Sequence, residues 1–257
     1  MSHEAEYSDN MVKLLELIWG EGYMAPGGPG NVRKLLEGAE TAGKQILDIG
    51  CGLGGPAMEM ARTHGATVTG IDLEAPLIDR ASAYARSAGL QKRCTFRCVT
   101  PGPLTFADES FDIVISSGAI TQTDDKASMF GEILRVLRPG GHFACYEWMS
   151  SGADLSDDMR YWIKLEELTY AFQTLDDYHQ LLDAAGFEDV RTEDASDWYR
   201  NEAQREYELL RGDLYETAVE LIGQTDADHF VEDWRAMVVV CQSGEMRQGY
   251  CRGRRPA

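Results

Sequence analysis

The sequence predicts an α/β fold: a doubly wound, mainly parallel sheet of seven strands, with a helical segment in front and a helical cap behind. Three observations carry this. Short apolar runs alternate with amphipathic helical stretches between residues 45 and 149. The first run, QILDIG (45–50), ends in glycines, as a buried parallel strand does when it turns sharply into a helix. A hydrophobic content of 44% over 257 residues is enough for one sizeable core, or one core with an added cap.

The elements follow in order. Residues 1–43 contain no clear buried strand. MVKLLELIWG (11–20) and NVRKLLEGAE (31–40) read as amphipathic helices joined by the Gly- and Pro-rich loop EGYMAPGGPG. After QILDIG, PAMEMARTHG is a helix and ATVTGID (66–72) the second strand. A helix over 75–90, with Gly89 near its end, leads to the strands CTFRCVT (94–100) and FDIVISSGAI (111–120). KASMFGEILRVLRPGG (126–141) is a helix closed by Pro139 and two glycines, and HFACYEWM (142–149) is the fifth strand. A helical stretch over 154–170, a helix over 174–187, the strand EDVRTEDAS (188–196) and a strongly helical region over 197–222 come next. AMVVVCQ (236–242) is the last strand candidate, although a buried helix fits it as well. This divides the chain into a helical lid (1–43), a ligand-binding core (44–150) and a cap that completes the sheet (151–257).

The bulk properties limit the partners. The formal charge is −19, from 43 acidic and 24 basic residues, so the surface repels nucleic acid and anionic membranes. Acidity serves solubility first. No apolar run approaches the roughly 20 residues of a membrane span. The start, MSHEAEYSDN, has no signal-peptide pattern, which predicts a cytoplasmic protein. The six cysteines form no C-x-x-C pair and the five histidines show no zinc spacing, so reduced thiols and no metal are expected. The basic tail RGRRPA reads as a solvated end. A small-molecule partner and a monomer or homodimer are expected.

In a doubly wound sheet, ligands bind at the carboxyl ends of the strands, near the switch point. That gathers Asp48, Gly50, Gly52, Asp72 with its neighbour Leu73, and residues 116–120 including Ser117 into one crevice. The glycines satisfy both G-x-G-x-x-G (Gly50, Gly52, Gly55) and G-x-G-x-G (Gly50, Gly52, Gly54). The first suggests a dinucleotide pyrophosphate, the second a nucleoside without phosphate. Asp72, 20 residues after Gly52, can accept both ribose hydroxyls in either case. Asp48 discriminates: a carboxylate beside a helix start repels a pyrophosphate but attracts a cation. S-adenosylmethionine (SAM) carries a sulfonium, an ammonium and no phosphate, and Asp48 can hold the ammonium, directly or through water. The 44 residues ahead of the first strand suit a lid over SAM better than a dinucleotide domain. The order of FDIVISSGAI and LRVLRPGGHFACYEW agrees.

Over about residues 44–150 the sequence resembles the Rossmann-like class I SAM-dependent methyltransferases. More closely, EYSDNMVKLLELIWGEGYMAPGG and SDWYRNEAQREYELL…EDWRAMVVVCQSGEMRQGYC are similar to the lid and cap of phosphoethanolamine N-methyltransferases, so the resemblance covers nearly the whole chain. It implies SAM as cofactor, S-adenosylhomocysteine as product and no metal. It carries over Met24 and Ala25 as lid residues over the cofactor and Tyr7 as the tyrosine that closes the active site. The departures matter as much. The family's strand-four motif ends D-A-x-x-H, its histidine paired with the lid tyrosine; here Gly118 and Gln122 stand at the two positions. The phosphate-gripping positions hold Trp148, Leu168 and Tyr170, with only MVVV near the lysine position, and the adenine-contacting acid is Thr100.

Methylating a protonated amine requires a proton to leave, and Gln122 cannot take it. A tertiary amine or thioether attacks with a free lone pair, so catalysis reduces to alignment and desolvation. The expected acceptor is therefore a small thioether or amine bearing a carboxylate. Trp148, Tyr7 and Tyr170 would face the forming cation, and a cap arginine (Arg235, Arg247 or Arg252) would pair with the carboxylate. The alternatives are a phosphoethanolamine-type N-methyltransferase, O- or C-methylation of a larger metabolite, and a SAM-binding protein without catalysis.

Overall fold

The structure is a computed structural model that describes residues 6–152 and 154–257. Its centre is one seven-stranded sheet in the order β3-β2-β1-β4-β5-β7-β6. The strands are β1 (Gln45–Ile49), β2 (Thr67–Asp72), β3 (Cys94–Cys98), β4 (Phe111–Ser117), β5 (Leu137–Ser150), β6 (Glu188–Asp194) and β7 (Met246–Arg254). All neighbours pair in parallel except β7, which runs antiparallel between β5 and β6. Successive residues of β1 serve opposite faces. Ile46 packs with α2 (Gly28–Leu35), α3 (Gly55–His64) and α4 (Ala75–Ser87); Leu47 packs with α5 (Lys126–Val136) and α7 (Leu175–Ala185). Burial on both faces is why these strands read as continuous apolar runs.

The remaining helices build a second core at one end of the sheet. α1 (Asp9–Trp19), α6 (Asp157–Glu166), α8 (Ser196–Leu210), α9 (Tyr215–Ile222) and α10 (Gln224–Gln242) pool Leu14, Trp162, Tyr199, Phe230, Trp234 and Met237. α1 and these four C-terminal helices thus share one apolar interior. Glu206 ties them together, accepting the Trp19 indole N–H at 2.8 Å and that of Trp234 at 3.3 Å.

The structure corrects several boundaries. AMVVVCQ is not a strand: it lies in α10, where Ala236, Met237, Val238, Val240 and Cys241 are all buried. Burial on several sides erases the helical periodicity, so the run mimics a strand. The seventh strand is β7, which takes in Arg252–Arg254 of the basic tail, and the tail's arginines pair with the fold rather than forming a solvated end. Arg254 approaches Asp189 at 3.9 Å and Arg255 meets Glu109 at 3.0 Å. Helix α2 starts and ends earlier than 31–40. α6 stops at Glu166, where Glu167 adopts φ +56°, and residues 167–173 continue without regular structure. α5 gives way to β5 at Leu137.

Candidate active site

β1, β2 and β4 end together at Ile49, Asp72 and Ser117, and the crevice above them is closed from outside by α1 and the loop that follows it. The glycine loop is forced by close packing. Gly50 (φ +67°) and Gly52 (φ +50°) sit in left-handed conformations. A Cβ on Gly50 would stand 2.1 Å from that of Ala119, and one on Gly52 2.9 Å from the Met24 sulfur. Gly55, the first residue of α3, donates its N–H to the Gly22 carbonyl at 2.9 Å, and a Cβ there would meet that oxygen at 2.4 Å. The amide that opens α3 is therefore already spent on the protein's own lid segment. This weighs against a pyrophosphate seat at the helix start.

Asp72 is held by the Gly52 N–H (2.8 Å) and the Glu74 N–H (3.0 Å), with further lone pairs free to accept hydroxyls. Burial raises its pKa, and the two amides oppose the rise. Asp48 is 1% exposed, and its Oδ2 has no hydrogen-bond partner. Burial first, then the charge of Asp72, pushes its carboxyl up to about 8. It lines a small cavity of about 30 Å³ with Ala25, Met24, Gly50, Gly52 and Ser117, room for about one water-sized group.

The main cavity, of about 470 Å³, continues from this loop toward the cap. Met24, Gly50, Gly52, Asp72, Leu73, Thr100 and Ser117 line its sheet end. Tyr7, Gln122, Trp148, Leu168 and Tyr170 line its cap end. Gln122 lies in a 3₁₀ turn (Ile120–Gln122) whose Ile120 and Thr121 amides donate to buried Glu147. Its amide donates to Glu6 at 3.3 Å and lies beside the Tyr7 hydroxyl. Burial, then the charges of Asp72, Glu166 and Glu6, raises the pKa of Tyr7 and keeps its phenol protonated.

The cap arginines are not brought to this cavity. Arg235 pairs with Glu232 at 2.7 Å on the outer side of α10, because its neighbours Trp234 and Met237 take the inner side. Arg247 bonds the Gly244 carbonyl at 2.7 Å and reaches Asp194 at 3.5 Å. Arg252 bonds the Lys34 carbonyl at 2.6 Å and approaches Glu193 at 3.4 Å. In their place the cavity holds residues that sequence reasoning missed: Glu6, Met11, Leu15, Trp19, Glu166, Trp234 and Met237. The one available signal was Asp233, the second acid of EDWRAMVVV, a charged residue set against an apolar helix; it is buried beside Glu166 and does not itself line the cavity. Among the described residues no helix is long and apolar enough to cross a membrane, and no cluster of His, Cys, Asp or Glu suits a metal ion.

The profile of a methyltransferase domain family matches residues 47–145. Phosphoethanolamine N-methyltransferase 1 of Zea mays is 30% identical over 245 residues, 95% of this chain and 48% of the maize protein. The chain spans about half the length of the curated relatives it matches. Haemonchus contortus phosphoethanolamine N-methyltransferase 2, solved with phosphomonomethylethanolamine and S-adenosylhomocysteine, superposes with a TM-score of 0.91. It is 24% identical, over 98% of this chain and 59% of that one. A Galdieria sulphuraria protein proposed to be a sarcosine dimethylglycine methyltransferase has a TM-score of 0.80 and 19% identity, over 96% of this chain and 97% of that one.

Proposed function

Since the chain carries a methyltransferase domain in the class I methyltransferase fold, we propose that it is a SAM-dependent methyltransferase acting on a small, phosphate-free acceptor, an amine or a thioether. SAM supplies an electrophilic methyl group on a sulfonium. The residues present fit it. Asp72 offers acceptors for ribose hydroxyls, and Asp48, buried and lacking a partner at Oδ2, offers a carboxylate for the ammonium. The tight Gly50–Gly52 turn lets a nucleoside approach the backbone. Met24, Leu73 and Thr100 give the same end of the cavity its walls, with Ala25 beside Asp48.

The observation that carries the acceptor reading is the cavity wall. It contains Glu6, Asp72, Glu74, Asp124 and Glu166 but, among the described residues, no lysine, arginine or histidine. A phosphate or carboxylate on the acceptor would have no cation to meet, so the acceptor is neutral or cationic. This drops the carboxylate expected from the sequence. Gln122 orients but takes no proton. Tyr7 donates a hydrogen bond, and Trp148 and Tyr170 turn aromatic surface to the charge that arrives with the methyl group. Glu166 also supplies the cavity with a group that can hold a proton, so secondary amines are admitted beside tertiary amines and thioethers.

The test is methyl transfer from labelled SAM to a panel: phosphoethanolamine, sarcosine, dimethylglycine, methionine, dimethylaminoethanol and 2-(methylthio)ethanol. The expected order places the uncharged-tail amine or thioether first. Phosphoethanolamine as the best acceptor would overturn the reading and favour the activity that the maize relative's name gives.

A further inference from the structure

That reading uses only one member of a close pair of carboxyls. Glu166, the last residue of α6, lines the cavity, and its Oε2 accepts the Tyr170 hydroxyl at 3.2 Å. Behind it Asp233 of α10 is 0% exposed, and no hydrogen-bond donor reaches either of its oxygens among the described residues. The two carboxyls interact strongly, so at most one is charged while they face each other alone. A buried carboxyl without donors costs stability, and nothing in the packing of α6 on α10 requires one. The surroundings say what it meets. Trp148, Tyr170 and Trp234 present aromatic surface to the same end of the cavity. Trp162 lies behind Tyr170, with ring centroids 5.3 Å apart and planes 30° apart.

We propose that Glu166, backed by Asp233 and walled by Trp148, Tyr170 and Trp234, is a binding site for a cationic group of the acceptor, an ammonium or quaternary ammonium. The proposal rests on the reading of this cavity as the acceptor site. A carboxylate flanked by aromatic faces holds a weakly hydrated organic cation by charge and by cation–π attraction. An anion is repelled by the same wall, and a neutral isostere gains only its apolar contact. Burial raises the pKa of both carboxyls; the charge of Glu166 raises Asp233 further, while hydrogen-bonding contacts from Tyr170, Asp233 and Trp162 oppose the rise at Glu166, so arrival of the cation draws a proton out of the pair.

Choline and its uncharged carbon isostere, 3,3-dimethylbutan-1-ol, separate charge from shape. Their binding to the full chain is measured by calorimetry and by tryptophan fluorescence, with and without S-adenosylhomocysteine. Choline is expected to bind at least about tenfold tighter, a difference of about 1.4 kcal/mol. Glu166→Gln should bring the two ligands within about threefold of each other while leaving S-adenosylhomocysteine affinity unchanged. Asp233→Asn should move the preference in the same direction, and it keeps the test open if Glu166→Gln folds poorly. Equal affinities in the native chain, or an undiminished choline preference in both variants, overturns the proposal. Failure to bind S-adenosylhomocysteine with the choline preference intact would instead sink the methyltransferase reading and leave the cation site standing.

Discussion

At Asp48 folding works against the binding role proposed for it. Its carboxyl is buried, lacks a partner at Oδ2 and keeps its proton up to about 8. An acid whose folded pKa lies above its unfolded value binds more protons when folded, so its stability contribution is complete below about pH 4 and is lost as pH rises to about 8. Asp48→Asn removes that loss. At pH 8 the ligand-free variant should melt higher, by about 1–3 kcal/mol of stability, while SAM affinity falls at least about tenfold through loss of the ammonium contact. Differential scanning fluorimetry and calorimetry on the same preparations measure both; a variant with unchanged SAM affinity would remove Asp48 from the site. Gly50→Ala has no such compensation. It places a Cβ 2.1 Å from Ala119 at φ +67°, and should cost about 2–4 kcal/mol while displacing the turn that carries Gln122. That Asp48, Gly50 and Asp72 meet at one crevice was legible in the sequence because local spacing places them at adjacent strand ends. Glu166 and Asp233 were not. In a helix, an acid reads as a solvated face, and only the packing of α6 on α10 buries Asp233 and half-buries Glu166.

At the scale of elements, one lysine joins two segments of the site. Lys126 of α5 is 2% exposed and donates to the carbonyls of Thr121 (3.4 Å), Thr123 (2.7 Å) and Ala171 (2.6 Å). Ala171 in turn donates its N–H to Thr121 at 2.9 Å. The turn that carries Gln122 is thereby locked to the irregular segment that carries Leu168 and Tyr170. Lys126→Met keeps the stem and strips the donors, taking away the lysine bonds of the part-buried Thr123 and Ala171 carbonyls at a cost of about 2–4 kcal/mol. Hydrogen exchange should quicken together at residues 120–123 and 168–173, with the glycine loop unchanged; quickening at only one segment would show that the lysine does not couple them. β1, β4 and β5 were readable because two-sided burial writes them as apolar runs between helices, and β2 and the half-exposed edge strand β3 from their place in the strand–helix alternation. β7 was hidden for the opposite reason. Its GYCRGR composition looks like a basic tail, and the strand exists only because β5 and β6 pair with it and acids on neighbouring segments neutralise its arginines.

For the whole molecule, the buried acids add to a predictable pH response. Burial pushes Glu147 and Glu206 up to about 7 and Asp48 up to about 8, and raises Asp72 as well. Unfolded, these groups lose their protons near their ordinary values of 3.8 and 4.5. Between about pH 4.5 and 8 the folded chain therefore holds more protons than the unfolded one, and stability falls as pH rises through that window. Below it, paired acids such as Asp112 and Glu132, whose pKa values are lowered by hydrogen bonds and arginine partners, turn the trend around. The maximum should thus lie at the acidic edge of that window, at about pH 4.5–5. The net charge of −19 acts in the same direction, since self-repulsion grows as the last buried acids ionise. The melting temperature at pH 6 is expected to exceed that at pH 8.5 by about 5 °C or more. Salt at 0.5 M should recover part of the difference at pH 8.5 by screening surface repulsion, but not the part owed to burial. Glu206→Gln, which keeps one acceptor oxygen for the Trp19 indole and gives up the weaker bond from Trp234, should shrink the pH 6-to-8.5 difference relative to the native chain. A melting temperature that is flat or rising over this range would mean that these carboxyls are charged in the folded protein, and that water or counter-ions reach them at Glu147, Glu206 and Asp48.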